Sequence, residues 1–304
     1  MADLLWGLLV LAGVAILIYA ASSKIARQTS SRFSTVLAAA ACVFMVVFSL
    51  TVHGKLVIAE WLPLSNAIIL GNWLPLGGAL LAGVLSGRRS IPSWRRWPLV
   101  ACLTIGCWWT VLINFLPGPQ HSDDLWTSEG VCLQSSAASC SPAAAATLLR
   151  HHGIHATEAE MMRLCLTRHG GSPSLGLYRG LKLKTRGTGW RVEVVRGTGE
   201  QLCADLSSPV LLRMRLPSDS GLMSRLASWT GMVPDQGHAA VLYAVTEDGR
   251  RLRVGDPSSG IHHWLADDFL ARWRGEGLRL VADSPHVTGL PPFREKLPTS
   301  RPKS

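Results

Sequence analysis

Residues 237–257 read GHAAVLYAVTEDGRRLRVGDP. Runs of apolar and β-branched residues predict strands over His238–Thr246 and Arg251–Val254, with a tight turn at Glu247-Asp248-Gly249-Arg250 between them. Antiparallel pairing of the two strands would bring the beginning of the first beside the end of the second. The hairpin therefore predicts an antiparallel sheet in which His238 lies close to Asp256.

Helical patterns come before this hairpin in the chain. Ser139 is a predicted N-cap for a helix over Cys140–His151, with Pro142 in its first turn and Gly153 beyond its end. The remaining predicted elements are a helix that opens with the capping box at Thr157 and stops near Gly170-Gly171, a helix over Leu175–Lys184, strands over Trp190–Val195 and Val210–Leu216, a helix over Ala266–Trp273 and a strand over Leu278–Val281. Helices followed by an antiparallel sheet indicate an α+β domain.

Four side chains of this domain form a candidate catalytic set. Cys140 would lie at a helix N-terminus, where the helix dipole favours the nucleophilic thiolate. His238 would be the base, Asp256 would orient its imidazole, and Gln134 would donate to an oxyanion together with the backbone N–H of Cys140. Taken singly, each residue has an ordinary structural role, and it is their order and spacing together that favour catalysis.

These motifs resemble the peptidase C39 family of papain-like cysteine peptidases. The resemblance lies in Gln134-x5-Cys140, Gly237–Tyr243 and Val254–Pro257, and it covers residues 128–282 of a domain predicted at 128–283. It implies a papain-like fold with Cys140 as nucleophile, His238 as base, Asp256 as orienting carboxylate and Gln134 in the oxyanion hole. The chain departs from the exporter members of that family because it has no Walker A motif and has Ser139-Cys140-Ser141-Pro142 around the cysteine. The substrate is therefore left open.

The first 117 residues predict an all-α transmembrane bundle. The whole chain is 48% hydrophobic and 16% charged, against roughly 25% charged residues in an average soluble domain. Four apolar blocks of membrane-spanning length lie at Leu4–Ala21, Val36–Val52, Leu62–Leu85 and Pro98–Leu116. The third contains prolines, asparagines and a glycine pair, which predict a kink or close packing against neighbours. The Asp3-containing N-terminus lacks the basic start of a signal peptide, so we expect a retained anchor.

Basic residues set the expected orientation in the cytoplasmic membrane. Loop one contains Lys24, Arg27 and Arg32, and loop three contains four arginines (Arg88, Arg89, Arg95 and Arg96), whereas loop two contains only Lys55. Positive loops stay in the cytoplasm. We therefore expect both termini and the α+β domain on the extracytoplasmic side, with the lipid bilayer as one partner and a peptide or protein substrate as another.

The net charge of +10 does not predict a nucleic-acid partner, because the sequence shows no recognition module to go with it. Much of the charge flanks apolar blocks or lies in the Pro-rich basic tail, residues 284–304, which we expect to be disordered.

Residues 118–127 are predicted to be a linker. The insertion Ser218–Gln236 precedes His238, and a cleft wall and a floppy loop are equally compatible with it.

The remaining cysteines and histidines predict no cofactor and no metal site. Outside the cytoplasm a disulfide between Cys132 and Cys165 is expected, which would tie the nucleophile loop to the second helix. None of the histidine spacings matches a zinc pattern.

A membrane-anchored cysteine peptidase is the leading hypothesis. A peptide-binding domain without turnover and a thiol acyltransferase remain open.

Overall fold

The computed structural model describes residues 1–88, 90–118, 121–215 and 237–283. The chain divides into two compact units, Met1–Leu116 and Pro117–Ser304. The predicted insertion Ser218–Gln236 and the predicted tail at 284–304 lie outside the described residues.

The first unit consists of apolar helices. They are α1 (Ala2–Gln28), α2 (Ser31–Thr51), α3 (Val57–Trp61), α4 (Ala67–Leu70), α5 (Leu74–Gly87) and α6 (Ser93–Leu112), followed by a 3₁₀ turn at Ile113–Phe115. Within the described part of the chain, four helical stretches are long and apolar enough to cross a membrane: Ala2–Gln28, Ser31–Thr51, Ala67–Gly87 and Ser93–Phe115. This agrees with the predicted number of apolar blocks.

The third apolar stretch is broken, as its prolines and asparagines predict. Its helix stops at Leu70 and restarts at Leu74. Asn72 occupies the break, where its amide donates to Thr110 Oγ1 at 2.8 Å and its Oδ1 accepts from the backbone of Leu74. The bond from Leu74 satisfies a backbone N–H that the break frees, and the bond to Thr110 joins the break to α6.

Small residues bring α5 against α1. A Cβ placed on Gly83 would lie 2.0 Å from Ser22 Oγ, and one on Gly87 would lie 2.6 Å from the carbonyl oxygen of Ser23. Only glycine permits so close an approach of the two backbones, which is the usual way that helices pack in lipid.

The second unit contains helices followed by strands, which confirms the predicted α+β fold class. Its helices are α7 (Cys140–His151), α8 (Glu158–Leu164), α9 (Ser174–Lys184), α10 (Gly199–Ala204) and α11 (Ala266–Arg272). Its strands are β1 (Trp190–Arg196), β2 (Val210–Arg215), β3 (Gly237–Val245), β4 (Arg251–Asp256), β5 (Gly260–Leu265) and β6 (Trp273–Ala282).

All described strands join one antiparallel sheet in the order β1-β6-β2-β3-β4-β5. The last strand, β6, therefore lies between the first two. The β3–β4 hairpin pairs Val241 with Gly255 and Leu242 with Val254. This register places the beginning of β3 next to the end of β4.

The sheet is buried on both faces near its centre. Alternate residues of β2, β3 and β4 form an apolar core with α10 and α11, and its members are Leu202, Val210, Leu212, Met214, Ala240, Leu242, Leu252, Val254 and Phe269. The intervening Ala239 and Val241 are also buried, and α7 packs against β3. The hairpin is therefore rigidly held between helices.

Several boundaries differ from the predicted ones. α8 ends at Leu164 and not near Gly170, because Leu166 has a left-handed backbone and Arg168 pairs with Gly171 in a turn. Thr157 caps α8, but the Glu160 side chain bonds Lys184 at 3.0 Å and does not complete the box. α10 and β5 are additional elements, and β6 is longer than the predicted Leu278–Val281.

Residues 121–127, which are part of the predicted linker, form hydrogen bonds within the second unit. The backbone N–H of Leu133 donates to Leu125, and Trp126 forms an isolated bridge with Cys132. This stretch therefore belongs to the second unit, which begins at Pro117.

Phe269 of α11 provides a test of the core. Its side chain is completely buried, so Phe269→Ala should destabilise the sheet by about 3–5 kcal/mol through lost apolar contact and the cavity left behind. Hydrogen exchange of the β2 and β3 amides in the full chain would measure this loss. Leu125→Ala, at a side chain 56% exposed, is the control, and equal exchange in the two variants would contradict this account of the core.

Candidate active site

Cys140 is the first residue of α7. Helix formation there is favoured by Pro142 in the first turn and by four consecutive alanines, Ala143–Ala146, whose small side chains allow the helix to be fully buried. The Cys140 side chain is only 7% exposed. Ser139 lies at the N-cap position, but its hydroxyl bonds Ser136 and does not cap the helix. The helix end that carries the thiol is therefore not capped by the Ser139 side chain.

His238 and Asp256 meet across the β3–β4 hairpin. His238 Nε2 lies 2.8 Å from Asp256 Oδ1. The bond follows from the register, since the strands place residue 238 at the beginning of β3 and residue 256 at the end of β4. The second imidazole nitrogen, Nδ1, remains for the thiol.

The Cys140 thiol lies close enough to His238 to interact with its imidazole. Burial of the thiol opposes its ionisation. The interaction with His238 and its charge, together with hydrogen bonds from the Ala239 backbone and Ser141, outweigh burial and lower the pKa of Cys140 below its ordinary value. Burial also opposes the imidazolium, yet hydrogen bonds to Asp256 and Cys140 raise the pKa of His238 to about 9. Both directions favour a thiolate–imidazolium pair.

Asp256 is held as an anion by donors on its own turn. Its Oδ1 accepts from the backbone N–H of Ser258 at 2.8 Å and from the Ser258 hydroxyl at 2.7 Å, besides His238. Burial alone would raise the pKa of Asp256, but the bonds from His238 and Ser258 lower it to about 2. Asp256 is therefore charged throughout the neutral range and can fix the tautomer and orientation of the imidazole.

Gln134 lies in the loop that leads into α7. Its backbone N–H donates to the carbonyl of Pro257 at 2.8 Å, which ties this loop to the residue that follows Asp256. Its side-chain Nε2 donates to the carbonyl of Ser136 at 3.0 Å. Its Oε1 is buried and has no hydrogen-bond partner among the described residues. The structure thus links Cys140, His238 and Asp256 directly, and it ties the Gln134 backbone to the residue that follows Asp256.

Glu158 was not among the predicted site residues. It is completely buried at the start of α8 and accepts hydrogen bonds from the loop that carries Gln134. The pattern at Thr157 indicated only a helix start, because no sequence signal says which loop a carboxylate will meet.

Cys132 and Cys165 are free thiols, so the structure does not contain the disulfide that was predicted between them. Cys132 lies beside α7, where its backbone N–H donates to Thr147 at 2.9 Å, whereas Sγ of Cys165 contacts Gly180 of α9. Burial, followed by the charges of Glu158 and Asp124, raises the pKa of Cys132 to about 12. Burial also raises the pKa of Cys165. Both thiols are therefore poor nucleophiles.

Among the described residues, no group of three or more His, Cys, Asp or Glu side chains is placed to hold a metal ion. His152, one of the histidines near α7, has its Nδ1 2.9 Å from the carbonyl oxygen of Leu148 and packs edge-on against Trp190. Burial lowers the pKa of His152, as expected for a neutral packing residue.

Comparison with known proteins gives limited likenesses. No protein-family model matches the chain. An uncharacterized protein of Methanothermobacter marburgensis is 47% identical over 49 residues, which is 16% of this chain and 34% of that protein. The chain therefore spans about a third of that relative's length.

Three solved structures are similar to this chain. A double glycine motif protease from an AMS/PCAT transporter, solved with its leader peptide, has a TM-score of 0.39 at 18% identity and covers 50% of this chain and 90% of its own. The peptidase domain of Streptococcus ComA has a TM-score of 0.38 at 19% identity, over 49% and 96%. The C39-like domain of a toxin secretion protein from Vibrio parahaemolyticus has a TM-score of 0.31 at 13% identity, over 44% and 88%. At sequence identities this low, the similarity concerns the fold alone.

The pairing of His238 with Asp256 can be tested through the reactivity of Cys140. Asp256→Asn removes the charge that holds the imidazolium, so the pKa of His238 should fall and that of Cys140 should rise. Alkylation of Cys140 by iodoacetamide at pH 6 should become roughly tenfold slower, the factor given by about 1.4 kcal/mol of coupling. The measurement is the alkylation rate against pH, followed by mass spectrometry of the peptide that contains Cys140.

Asp248→Asn is the matched control for this experiment. Asp248 lies in the turn of the same hairpin, where it bonds Thr246 and the backbone of Arg250 and is exposed. It should leave the alkylation profile unchanged. A profile for Asp256→Asn that coincides with that of the unmodified chain would refute the coupling.

Proposed function

We propose that the second unit is a cysteine peptidase domain that cleaves a peptide bond through an acyl-enzyme on Cys140. The observation that carries this proposal is the line of contacts from the Cys140 thiol to His238 and on to Asp256. Thiol, imidazole and carboxylate in this order are the parts that nucleophilic acyl transfer requires. The resemblance of the surrounding motifs to peptidase C39 domains supports the same reaction.

In the first half of the reaction, the Cys140 thiolate attacks the carbonyl carbon of the peptide bond. The carbonyl oxygen becomes an oxyanion, and the C–N bond then breaks as the His238 imidazolium gives its proton to the leaving amine. The product is a thioester on Cys140 and a neutral imidazole. The pKa of His238, raised to about 9, keeps the proton available in the neutral range.

In the second half, His238 takes a proton from water, which attacks the thioester carbonyl. Collapse of the second oxyanion releases the acid product and restores the thiolate–imidazolium pair. Replacing water by an amine would convert hydrolysis into acyl transfer, with the same residues in the same roles. The acceptor is therefore a property of the pocket and not of this chemistry.

The oxyanion would bind between two donors. One is the backbone N–H of Cys140 at the start of α7, and the other is Nε2 of Gln134. One hydrogen of that amide goes to the Ser136 carbonyl, which leaves the second for the oxyanion. The bond from the Gln134 backbone to Pro257 supports this role, because it keeps the amide near the site.

Cys140→Ala should abolish cleavage, by at least about a thousandfold, because no other group replaces the nucleophile. The assay is mass spectrometry of a random-sequence peptide library incubated with the full chain in detergent. Cys203→Ala is the control, since Cys203 lies in α10 and burial raises its pKa. Undiminished cleavage by Cys140→Ala would exclude this mechanism, and peptide binding without any cleavage by the unmodified chain would favour a non-catalytic binding module.

We also propose that the first unit anchors this domain in the cytoplasmic membrane, with the domain outside. The basic loops support this orientation. Arg88, which follows α5, bonds Ser31 and Thr35 at the start of α2 through its Nη2, at 2.8 to 3.2 Å. The residues after α5 and before α2 thus lie at one end of the helices, which is consistent with loops one and three sharing the cytoplasmic side.

Sidedness can be measured with a membrane-impermeant maleimide on intact cells. In a variant whose native cysteines are replaced, Lys55→Cys in loop two should be labelled directly. Thr29→Cys in loop one and Ser90→Cys in loop three should be labelled only after the membrane is opened. The reverse pattern would place the second unit in the cytoplasm.

A further inference from the structure

The loop from Gln134 to Ser139 carries or immediately precedes both proposed oxyanion donors, so its shape decides their positions. Inside the loop, the Ser139 hydroxyl accepts from the backbone N–H of Ser136 at 3.0 Å and donates to the Ser136 carbonyl. That same carbonyl accepts from Gln134 Nε2. These bonds close the loop on itself but do not attach it to the rest of the domain.

Besides the bond from the Gln134 backbone to Pro257, Glu158 attaches this loop to the rest of the domain. Its Oε1 accepts from the backbone N–H of Ser135 at 2.8 Å, and its Oε2 accepts from the Ser135 hydroxyl. Oε2 also accepts from the Ser122 hydroxyl at 2.7 Å. One carboxylate thus bonds both the backbone and the side chain of the residue next to Gln134.

The surroundings of Glu158 make these bonds strong. The residue is 0% exposed, and hydrogen bonds to a buried carboxylate are roughly twice as strong as those between neutral groups. The backbone N–H of Glu158 donates to Asp124 Oδ1 at 2.9 Å, and the N–H of Asp123 donates to Ser135 Oγ at 2.8 Å. Residues 122–124, Ser135 and the start of α8 therefore form one network.

We propose that Glu158 is a positioning residue for the oxyanion side of the site: through Ser135 it holds the loop that places the Gln134 amide and the Cys140 N–H. This inference rests on the function proposed above. The thiolate side depends on different elements, because β3 and β4 carry His238 and Asp256. Loss of Glu158 should therefore impair stabilisation of the oxyanion and leave thiolate reactivity intact.

Two reactions of Cys140 separate these sides. Acylation by p-nitrophenyl acetate passes through an oxyanion, whereas alkylation by iodoacetamide is a direct displacement that needs only the thiolate. In the full chain, Glu158→Gln should lower the rate of Cys140-dependent acylation about tenfold, since a small misplacement of donors costs one to two orders of magnitude in rate. The rate and pH profile of alkylation should stay within about twofold.

Glu160→Gln is the matched control. Glu160 lies on the same helix, but its carboxylate accepts from Lys184 of α9 at 3.0 Å and not from the loop at 134–139. It should leave both reactions unchanged. Gln134→Ala is the positive control and should reproduce the effect of Glu158→Gln, with slow acylation and normal alkylation.

The possible outcomes distinguish the two proposals. Normal acylation by Glu158→Gln, with impaired acylation by Gln134→Ala, would overturn the positioning role and leave the peptidase intact. Absence of Cys140-dependent acylation in the unmodified chain would overturn both. If circular dichroism shows that Glu158→Gln does not fold, Ser135→Ala carries the test. This variant removes the hydroxyl's bonds with Glu158 and with the N–H of Asp123 but keeps the bond from the Ser135 backbone to Glu158. It should slow acylation in the same selective way, and unchanged acylation would overturn the inference.

Discussion

The hydrogen bond between His238 and Asp256 is the interaction on which the rest of the site depends. Without a partner, a largely buried imidazole would lose its charge to desolvation. The carboxylate reverses that tendency, and the charged ring in turn offsets the burial of the Cys140 thiol. Each of the three groups therefore shifts the pKa of its neighbour toward the charged form, against the effect of burial.

Rigid elements on both sides of the sheet maintain this line. The hairpin that carries His238 and Asp256 is buried between α7 and the core shared with α10 and α11. Cys140 lies at the tip of α7, whose alanines allow the helix to lie flat against β3. The distances at the site are thus set by packing of the whole domain, which is how proteins achieve the sub-ångström placement that catalysis requires.

A second network, centred on Glu158, holds the loop that leads into α7. It consists of serine hydroxyls, backbone amides and one buried carboxylate, all within the loop before α7, residues 122–124 and the start of α8. The site therefore has two supports of different character: charge pairing on the strands and hydrogen bonding in the loop. Because the two supports use different residues, thiolate formation and oxyanion binding can be tested separately.

Local patterns in the amino-acid order were enough to predict the apolar helices, α7 with Cys140 at its tip, and the hairpin that pairs His238 with Asp256. Periodicity, helix capping and turn chemistry act over a few residues, so they can be recognised without knowledge of the fold. Three features could not be recognised in this way: the insertion of β6 between β1 and β2, the separate thiols of Cys132 and Cys165, and the burial of Glu158 against Ser135. Each depends on which distant segments become neighbours, and only the packing of the complete chain decides that.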